Sequence, residues 1–217
     1  MAEQFARTIV PAMQTASPSA RTSLSQRGFT LGELMITLAV VGVLLTVGVP
    51  AMRNFAQNNR LSAAANDLLR SLQLGRTEAI NRQASVIVCA SSNPTATNPT
   101  CSYSAFRGWI VAQDTNGNWQ VDTGEPVIER HDLIDSQVIV RTDANGIVSY
   151  NASGFANPAG TKTPSANVVF CDKRGITVVS GSSLGRAMLI TPTGRGRVSR
   201  NYTEVNTSLS TTGGTCP

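Results

Sequence analysis

The pattern of apolar and polar residues changes twice along the chain, and each change predicts a different kind of element. From Phe29 to Val49 the sequence stays apolar for 21 residues, apart from Glu33, a few hydroxyl residues and some glycines. As a helix, this run is about 31 Å long, which is enough to cross the hydrocarbon core of a bilayer. We therefore predict a transmembrane helix over residues 29–50.

Beyond Pro50 the apolar residues recur mostly at intervals of three, four or seven, which is the period of an amphipathic helix. This stripe consists of Phe55, Leu61, Ala64, Ala65, Leu68, Leu72, Ala79 and Ile80. The pattern predicts that residues 51–83 form a helix whose apolar stripe contacts a folded domain.

From residue 84 onward the apolar segments are short and rich in β-branched residues, as is typical of β-strands. The predicted strands are 85–89, 108–112, 138–140, 167–171 and 187–190. The loops between them are rich in Asn, Pro, Gly, Ser and Thr. The fold class is therefore α+β, with a long N-terminal helix packed on antiparallel β-sheet in a globular domain over residues 84–217.

The start of the apolar run contains one carboxylate, Glu33, in the segment QRGFTLGE at residues 26–33. A charged side chain in a membrane costs about 2.5–3.5 kcal/mol on insertion scales, so its presence requires a functional reason. If the chain is cleaved after Gly28, Phe29 acquires a free amine and Glu33 lies four residues further on. These positions share one helix face, so Glu33 can meet the amine of its own chain or of a neighbouring copy. This arrangement indicates that copies of the chain assemble with one another or with similar subunits.

The sequence Gly-Phe-Thr-Leu-x-Glu-Leu before an apolar run resembles the type III signal of type IV pilins and type II secretion pseudopilins. The resemblance implies that a prepilin peptidase removes a leader over residues 1–28 and methylates Phe29. It also implies that Glu33 helps to set the subunit register in a filament. An ordinary secretory signal is the alternative, but this run is long for one, and Val49-Pro50-Ala51 is a poor match to its cleavage site.

The leader carries three arginines against one glutamate just before the apolar run. This charge distribution favours keeping the leader in the cytoplasm while the remainder is exported. We therefore expect a single pass through the inner membrane, a periplasmic domain and incorporation into a pilus.

Four cysteines follow the apolar run. An even number in an oxidising compartment favours disulfides, for which three pairings are possible. We favour Cys89–Cys101, which closes a loop between neighbouring strands, and Cys171–Cys216, which holds the C-terminal tail. A four-cysteine zinc site is the alternative, but the paired C-x₂-C spacing of such sites is absent from the sequence.

An Asp/Asn-rich segment offers oxygen ligands at the spacing of an EF-hand calcium loop: Asp114, Asn116, Asn118, Asp122 and Glu125. However, Trp119 occupies the position of the expected glycine, and the flanking segments are predicted strands rather than helices. Asn116-Gly117 also favours a hairpin turn. A polar turn stabilised by Asx hydrogen bonds is therefore the first interpretation, and a weak calcium site is the alternative.

The C-terminal segment 186–217 is basic, with a net charge of +3 from Arg186, Arg195, Arg197, Arg200 and Glu204. The planar guanidinium suits phosphate oxygens, while Gly194 and Gly196 allow close approach of the backbone to a ligand and a small anion nest. In an extended segment, Arg195 and Arg197 share one face about 6.6 Å apart. That spacing is close to the separation of neighbouring phosphates along one DNA strand. A basic edge strand that prevents pairing between sheets is the alternative.

The chain also resembles the FimT/GspH-type pilins in residues 74–82, in its Asp/Asn-rich turn, at Phe170-Cys171-Asp172 and in its basic tail. FimT-type minor pilins have a C-terminal Gly-Arg-x-Arg motif implicated in DNA binding during natural transformation, and residues 194–197 match it. The resemblance implies sequence-independent binding of DNA phosphates by Gly194, Arg195, Gly196, Arg197, Arg200 and Arg186. Because Tyr202 is the only aromatic residue of the tail, we expect duplex rather than single-stranded DNA.

Two other functions fit the sequence: a GspH-like type II secretion pseudopilin, and a structural subunit that primes pilus assembly without a ligand. No enzymatic activity and no cofactor are expected. His131 is the only histidine and is interpreted as part of a solvated charged turn. The sequence contains no nucleophile elbow, P-loop or metalloprotease motif. The expected partners are other pilins, the prepilin peptidase, DNA and the inner membrane.

Overall fold

The structure is a computed structural model that describes residues 28–158 and 166–217. Residues 1–27 of the leader expected over residues 1–28 therefore lie outside the described residues. The chain divides into two compact units, Met1–Thr46 and Val47–Pro217, and helix α1 (Leu31–Arg82) contributes to both. Pro50 lies inside this helix.

The first turn of α1 is capped by Thr30 and Glu33. The Thr30 hydroxyl accepts a hydrogen bond from the Glu33 N–H at 3.2 Å, and the Glu33 carboxylate accepts one from the Thr30 N–H at 2.8 Å. This reciprocal capping box satisfies two N–H groups that a helix start leaves without partners. By length and composition, α1 is suited to cross a membrane, as expected for residues 29–50.

In the second unit, one face of α1 forms the centre of the core. Six members of the predicted stripe are buried there, namely Leu61, Ala64, Ala65, Leu68, Leu72 and Ala79. The prediction is wrong for Phe55 and Ile80, which are 61% and 39% exposed. Phe55 precedes Leu61, the first helix residue that packs into the core, and Ile80 lies at the margin of the contact, against Gly154.

Eleven strands follow in the described part of the chain: β1 (Val86–Ala90), β2 (Trp109–Gln113), β3 (Val127–His131), β4 (Ile139–Thr142), β5 (Ile147–Tyr150), β6 (Ala156–Pro158), β7 (Ala166–Cys171), β8 (Val178–Val179), β9 (Ser182–Ser183), β10 (Arg186–Ile190) and β11 (Gly196–Ser199). They form a five-stranded sheet in the order β3-β2-β1-β5-β6, a four-stranded sheet in the order β11-β10-β7-β4 and a small β8-β9 hairpin. All pairings are antiparallel. The five strands predicted from sequence are confirmed as β1, β2, β4, β7 and β10.

Both large sheets contribute side chains to the core around α1. The four-stranded sheet packs its other face against helix α2 (Tyr202–Thr211), through contacts of Val169 and Ala187 with Val205 and Leu209. The sequence pattern did not predict this helix. The side chain of its N-cap, Asn201, accepts hydrogen bonds from two backbone N–H groups of the first turn. Asn followed three residues later by Glu was a readable start signal.

The two predicted disulfides are confirmed. Cys89 is bonded to Cys101 and closes the connection after β1, while Cys171 of β7 is bonded to Cys216 near the C-terminus. The second bond holds the segment after α2 against the same apolar cluster that anchors the helix. The C-terminal tail is therefore a packed part of the domain.

The interpretation of His131 as part of a solvated turn is wrong. His131 is the last residue of β3, and its ring stacks on that of Trp109 with centroids 3.8 Å apart. Its Nε2 lies 3.6 Å from a carboxylate oxygen of Asp67 on α1. The pairing of β2 with β3 brings the two rings together, because Trp109 is directly opposite His131 in the register.

Candidate functional site

The basic motif forms the turn and second strand of the β10–β11 hairpin. Thr191 and Arg195 close the turn through a hydrogen bond of 2.9 Å from the Thr191 N–H to the Arg195 carbonyl. The Gly194 N–H donates to the Thr191 carbonyl at 2.9 Å. Because β11 pairs only with β10, it lies at the edge of the four-stranded sheet. We call the segment from Arg195 to Arg200 the basic edge.

The two glycines of the motif serve packing. Gly194 is buried with φ = +76°, and a Cβ there would collide with the Gly154 carbonyl and approach Arg76, whose Nε donates to that carbonyl at 3.0 Å. A Cβ on Gly196 would lie 2.8 Å from Leu69 of α1. The expected roles of Gly194 in contacting a ligand and in an anion nest are therefore wrong, because its backbone is buried and its N–H is already bonded.

The side chain of Arg197 lies on the face of β11 that is turned away from the core around α1. In the register of the hairpin, Arg197 is opposite Leu189 and Val198 is opposite Met188. Val198 packs against the core around α1, so the neighbouring Arg197 is on the other face of the strand. Arg195 and Arg200 are also exposed, and neither guanidinium has a hydrogen-bond or ion-pair partner among the described residues.

Arg197 is engaged by a carboxylate from α2. Its two terminal nitrogens donate to the two carboxylate oxygens of Glu204, at 2.9 and 2.6 Å. Hydrogen bonds from Arg197 lower the pKa of Glu204 to about 2, so the pair is fully charged at neutral pH. This contact requires α2, so it was not predictable from the sequence pattern. It partly neutralises the basic edge at its centre.

Arg186 is not part of the accessible surface, and its assignment as a DNA contact is wrong. Its side chain is 2% exposed. The guanidinium donates to the carbonyls of Ser183, Leu184 and Gly185 at 3.4, 2.8 and 3.1 Å, and to the Ser62 hydroxyl of α1 at 3.2–3.3 Å. Burial lowers the pKa of Arg186 to about 10, which leaves it charged at neutral pH. It is a structural cation linking the β9–β10 connection to α1.

The Asp/Asn-rich segment forms a hydrogen-bonded turn. The Asp114 carboxylate accepts from three backbone N–H groups of the turn, at 2.7–3.2 Å. The side-chain amides of Asn116 and Asn118 each donate to Asp122 at 2.8 Å, and Glu125 accepts from the Asp122 N–H. The interpretation as an Asx-stabilised polar turn is thus confirmed. Within residues 28–158 and 166–217 there is no group of three or more His, Cys, Asp or Glu side chains that could hold a metal ion.

Two models of known protein families match the chain. The family model described as "Type II transport protein GspH" matches residues 64–202, which contain every strand of both large sheets. The chain belongs to the GspH family. A second model, the prokaryotic N-terminal methylation motif, matches residues 23–49 and includes Gly28, Phe29 and Glu33. Together the two matches identify a minor type IV pilin or pseudopilin, a class of protein that assembles with other pilins in filaments.

Individual relatives are distant from this GspH-family protein. It is 28% identical to the pilin-like protein PilA1 of Thermus thermophilus over 170 residues, covering 76% of this chain and 99% of PilA1. It is 42% identical to fimbrial protein EcpC of Eikenella corrodens over 41 residues, covering 19% of this chain and 27% of EcpC. Among solved structures, the type IV minor pilin FimU of Pseudomonas aeruginosa matches at 19% identity and a TM-score of 0.47, covering 66% of this chain and 91% of FimU.

Proposed function

We propose that this GspH-family protein is a minor type IV pilin whose basic edge binds the phosphate backbone of DNA without sequence preference. In this role it supports DNA uptake in natural transformation and takes part in pilus assembly. The observation that carries the proposal is the exposure of Arg197 on the edge strand β11 and of Arg195 and Arg200 at its two ends, with Glu204 as the only acidic residue of segment 186–217.

The N-terminal part of the proposal concerns processing and anchoring. Cleavage after Gly28 removes the leader over residues 1–28, and Phe29 becomes the methylated first residue. Residues 29–50 then cross the inner membrane, residues 51–83 continue as the amphipathic helix, and residues 84–217 form the periplasmic domain. In the free subunit the Glu33 carboxylate is bonded to Thr30, and in a filament it would exchange that contact for the amine of a neighbouring Phe29. The methylation-motif match supports this part.

Binding to the basic edge should be weak, and it should depend strongly on salt. Each phosphate neutralised by an arginine releases counterions and contributes about −0.9 to the slope of log K against log salt for duplex DNA. Arg195 and Arg200 thus predict a slope of about −2 for one subunit, and Arg197 would bring it to about −3 if it left Glu204 for a phosphate. Several subunits in one filament would increase the apparent affinity through avidity.

The test compares the full chain in neutral detergent with its Arg195→Gln/Arg197→Gln variant, using a random-sequence duplex at several salt concentrations. We expect the double variant to bind about 10-fold more weakly or worse, with a slope less steep by about 1 to 2. Arg107→Gln is the matched control, since Arg107 is exposed in the β2 region and its side chain has no partner in the described part of the chain. Equal binding by the double variant and the wild type would refute the assignment to this edge.

Replacing Glu204 by glutamine should strengthen binding. The change removes the carboxylate that binds Arg197 and releases its guanidinium for a phosphate, so we expect a several-fold higher affinity and a salt slope steeper by about 1. Glutamine keeps the size of the side chain and leaves the Asn201 N-cap of α2 unchanged. The readout is the same duplex titration, with Glu129→Gln of β3 as the control. An affinity unchanged or reduced by Glu204→Gln would show that Arg197 does not contact DNA.

The depressed pKa of Glu204 adds a pH test of the same contact. The folded-state pKa of Glu204 is about 2, below the usual value near 4.3 for glutamate. The ion pair with Arg197 is therefore fully formed above about pH 4.3, and it is lost only as the pH falls through about 2. Mild acidification from pH 7 to 5 should therefore leave Arg197 engaged. Wild-type affinity should not approach that of Glu204→Gln over this range.

A type II secretion pseudopilin is the second candidate function, because the matching family is described as a type II transport protein. In that role the exposed arginines would contact neighbouring subunits. A wild-type chain that binds no DNA at low salt, together with weakened filament assembly in Arg195→Gln/Arg197→Gln, would favour this alternative.

A further inference from the structure

An exposed aromatic ring from the other large sheet lies beside the turn of the basic edge. Phe155, just before β6, is 52% exposed. The residues on both sides of it contact the hairpin turn: the Ala156 N–H donates to the Pro192 carbonyl at 3.0 Å, and the Gly154 carbonyl packs against Gly194. Arg76 fixes this arrangement by its hydrogen bond to the Gly154 carbonyl. Tertiary contacts of its two neighbours therefore hold Phe155 near the hairpin turn that precedes Arg195.

A second exposed aromatic residue lies at the opposite end of the basic edge. Tyr202 is 43% exposed and is the first residue of α2, two positions after Arg200. The side chain of Asn201 caps the helix and so fixes the direction in which the chain leaves β11. The edge between the two aromatics, from Arg195 to Arg200, is about 17 Å long in an extended strand. Cations thus lie between two aromatic residues.

Exposed arginines flanked by exposed aromatic residues are typical of surfaces that bind single-stranded nucleic acid. Proteins that bind single strands pair a cationic track for the phosphates with aromatic rings on which unpaired bases stack. Bases within a duplex are already stacked on each other and leave no face free for a protein ring. Two exposed aromatic residues at the ends of a cationic edge therefore suit a single-strand surface.

We propose that the basic edge prefers single-stranded nucleic acid to duplex, with Phe155 and Tyr202 stacking on bases and Arg195, Arg197 and Arg200 contacting the phosphates between them. This inference rests on the proposed nucleic-acid function and reverses the expectation of duplex binding drawn from the sequence. The 17 Å edge spans only a few nucleotides, which is at the low end of the site sizes of about 4 to 16 nucleotides known for single-strand binding domains.

The experiment titrates the full chain in neutral detergent with a 20-nucleotide oligo-dT and with a 20-base-pair random duplex at the same low salt. The variants are Phe155→Leu, Tyr202→Leu and their combination. Tyr103→Leu is the control, since Tyr103 is 63% exposed but lies in the β1–β2 connection, outside the basic edge. Circular dichroism verifies that each variant is folded.

We expect the wild type to bind oligo-dT about 10-fold more tightly than duplex. A base–aromatic stack is worth a factor of about 5 to 150, so each single variant should lose about 5-fold or more in oligo-dT affinity and less than about 2-fold in duplex affinity. Tyr103→Leu should change neither. A 2-aminopurine base in the oligonucleotide should report stacking by a fluorescence change that the combined variant abolishes.

The possible failures are distinguishable. Tighter binding of duplex would overturn the single-strand preference, and an oligo-dT affinity unaffected by the combined variant would overturn stacking by Phe155 and Tyr202. Either result would leave the backbone-binding function intact. Absence of binding to both ligands would overturn the nucleic-acid function and this inference with it.

Discussion

Removal of the Cys171–Cys216 disulfide is expected to lower the free energy of unfolding of the sheet domain by about 4 kcal/mol. The bond joins residues 45 positions apart, and the loss of chain entropy in the unfolded state increases with the length of the closed loop. Cys216 also packs beside Val205 and Leu209, so the bond holds α2 on its sheet. The measurement is denaturant unfolding of Cys171→Ala/Cys216→Ala in detergent, followed by tryptophan fluorescence.

The second disulfide provides the matched control. Cys89–Cys101 closes a loop of only 12 positions, for which the same argument gives about 3 kcal/mol. Both tryptophans, Trp109 and Trp119, lie in the sheet domain and report its unfolding. Equal stability of the Cys171→Ala/Cys216→Ala variant and the wild type would contradict the assignment of α2 and the tail as a packed part of the domain.

Replacing Arg186 by methionine is expected to cost about 2–4 kcal/mol of stability while leaving nucleic-acid affinity unchanged. Methionine fills much of the arginine volume but donates no hydrogen bond, so three backbone carbonyls and the Ser62 hydroxyl lose their buried partner. Each buried polar group left without a partner costs about 1–3 kcal/mol, reduced where water enters. The same denaturation assay measures the loss, and a titration with DNA measures the affinity of the folded fraction.

The comparison with Arg195→Gln separates a structural arginine from a ligand-contacting one. Arg195→Gln should reduce nucleic-acid affinity with little effect on stability, since surface changes usually stay within about 0.5 kcal/mol. Arg186→Met should do the reverse. A folded Arg186→Met variant with greatly reduced DNA affinity would show that Arg186 reaches the ligand.

Several features of this protein were predictable because they depend on residues that are close in sequence. Apolar length alone predicted a helix able to cross a membrane from Phe29 onward, and the change of period near residue 84 predicted where strands replace helix. Five strand segments were read from runs of Val and Ile with Gly- and Asn-rich turns between them. The even cysteine count, taken with the order of the strands, gave the correct disulfide pairing.

Predictions failed where the outcome depended on contacts between distant segments. Phe55 continues the apolar stripe of α1, yet the core begins only at Leu61. His131 is surrounded by charged residues in the sequence, but the pairing of β2 and β3 sets it on Trp109. Helix α2 was missed because its few apolar residues gave a weak pattern, although Asn201 and Glu204 marked its start.

The sequence by itself determined the class of this protein and the location of its basic motif. The N-terminal signal, the helix period and the Gly-Arg-x-Arg segment are local patterns, and local patterns are fixed by neighbouring residues. Only the tertiary structure decided how accessible each of the four arginines is: Arg186 is buried by the β9–β10 connection and α1, Arg197 is bound by Glu204 of α2, and Arg195 and Arg200 are exposed. Burial and pairing of a charge depend on which segments pack against it, and that packing is a property of the whole fold.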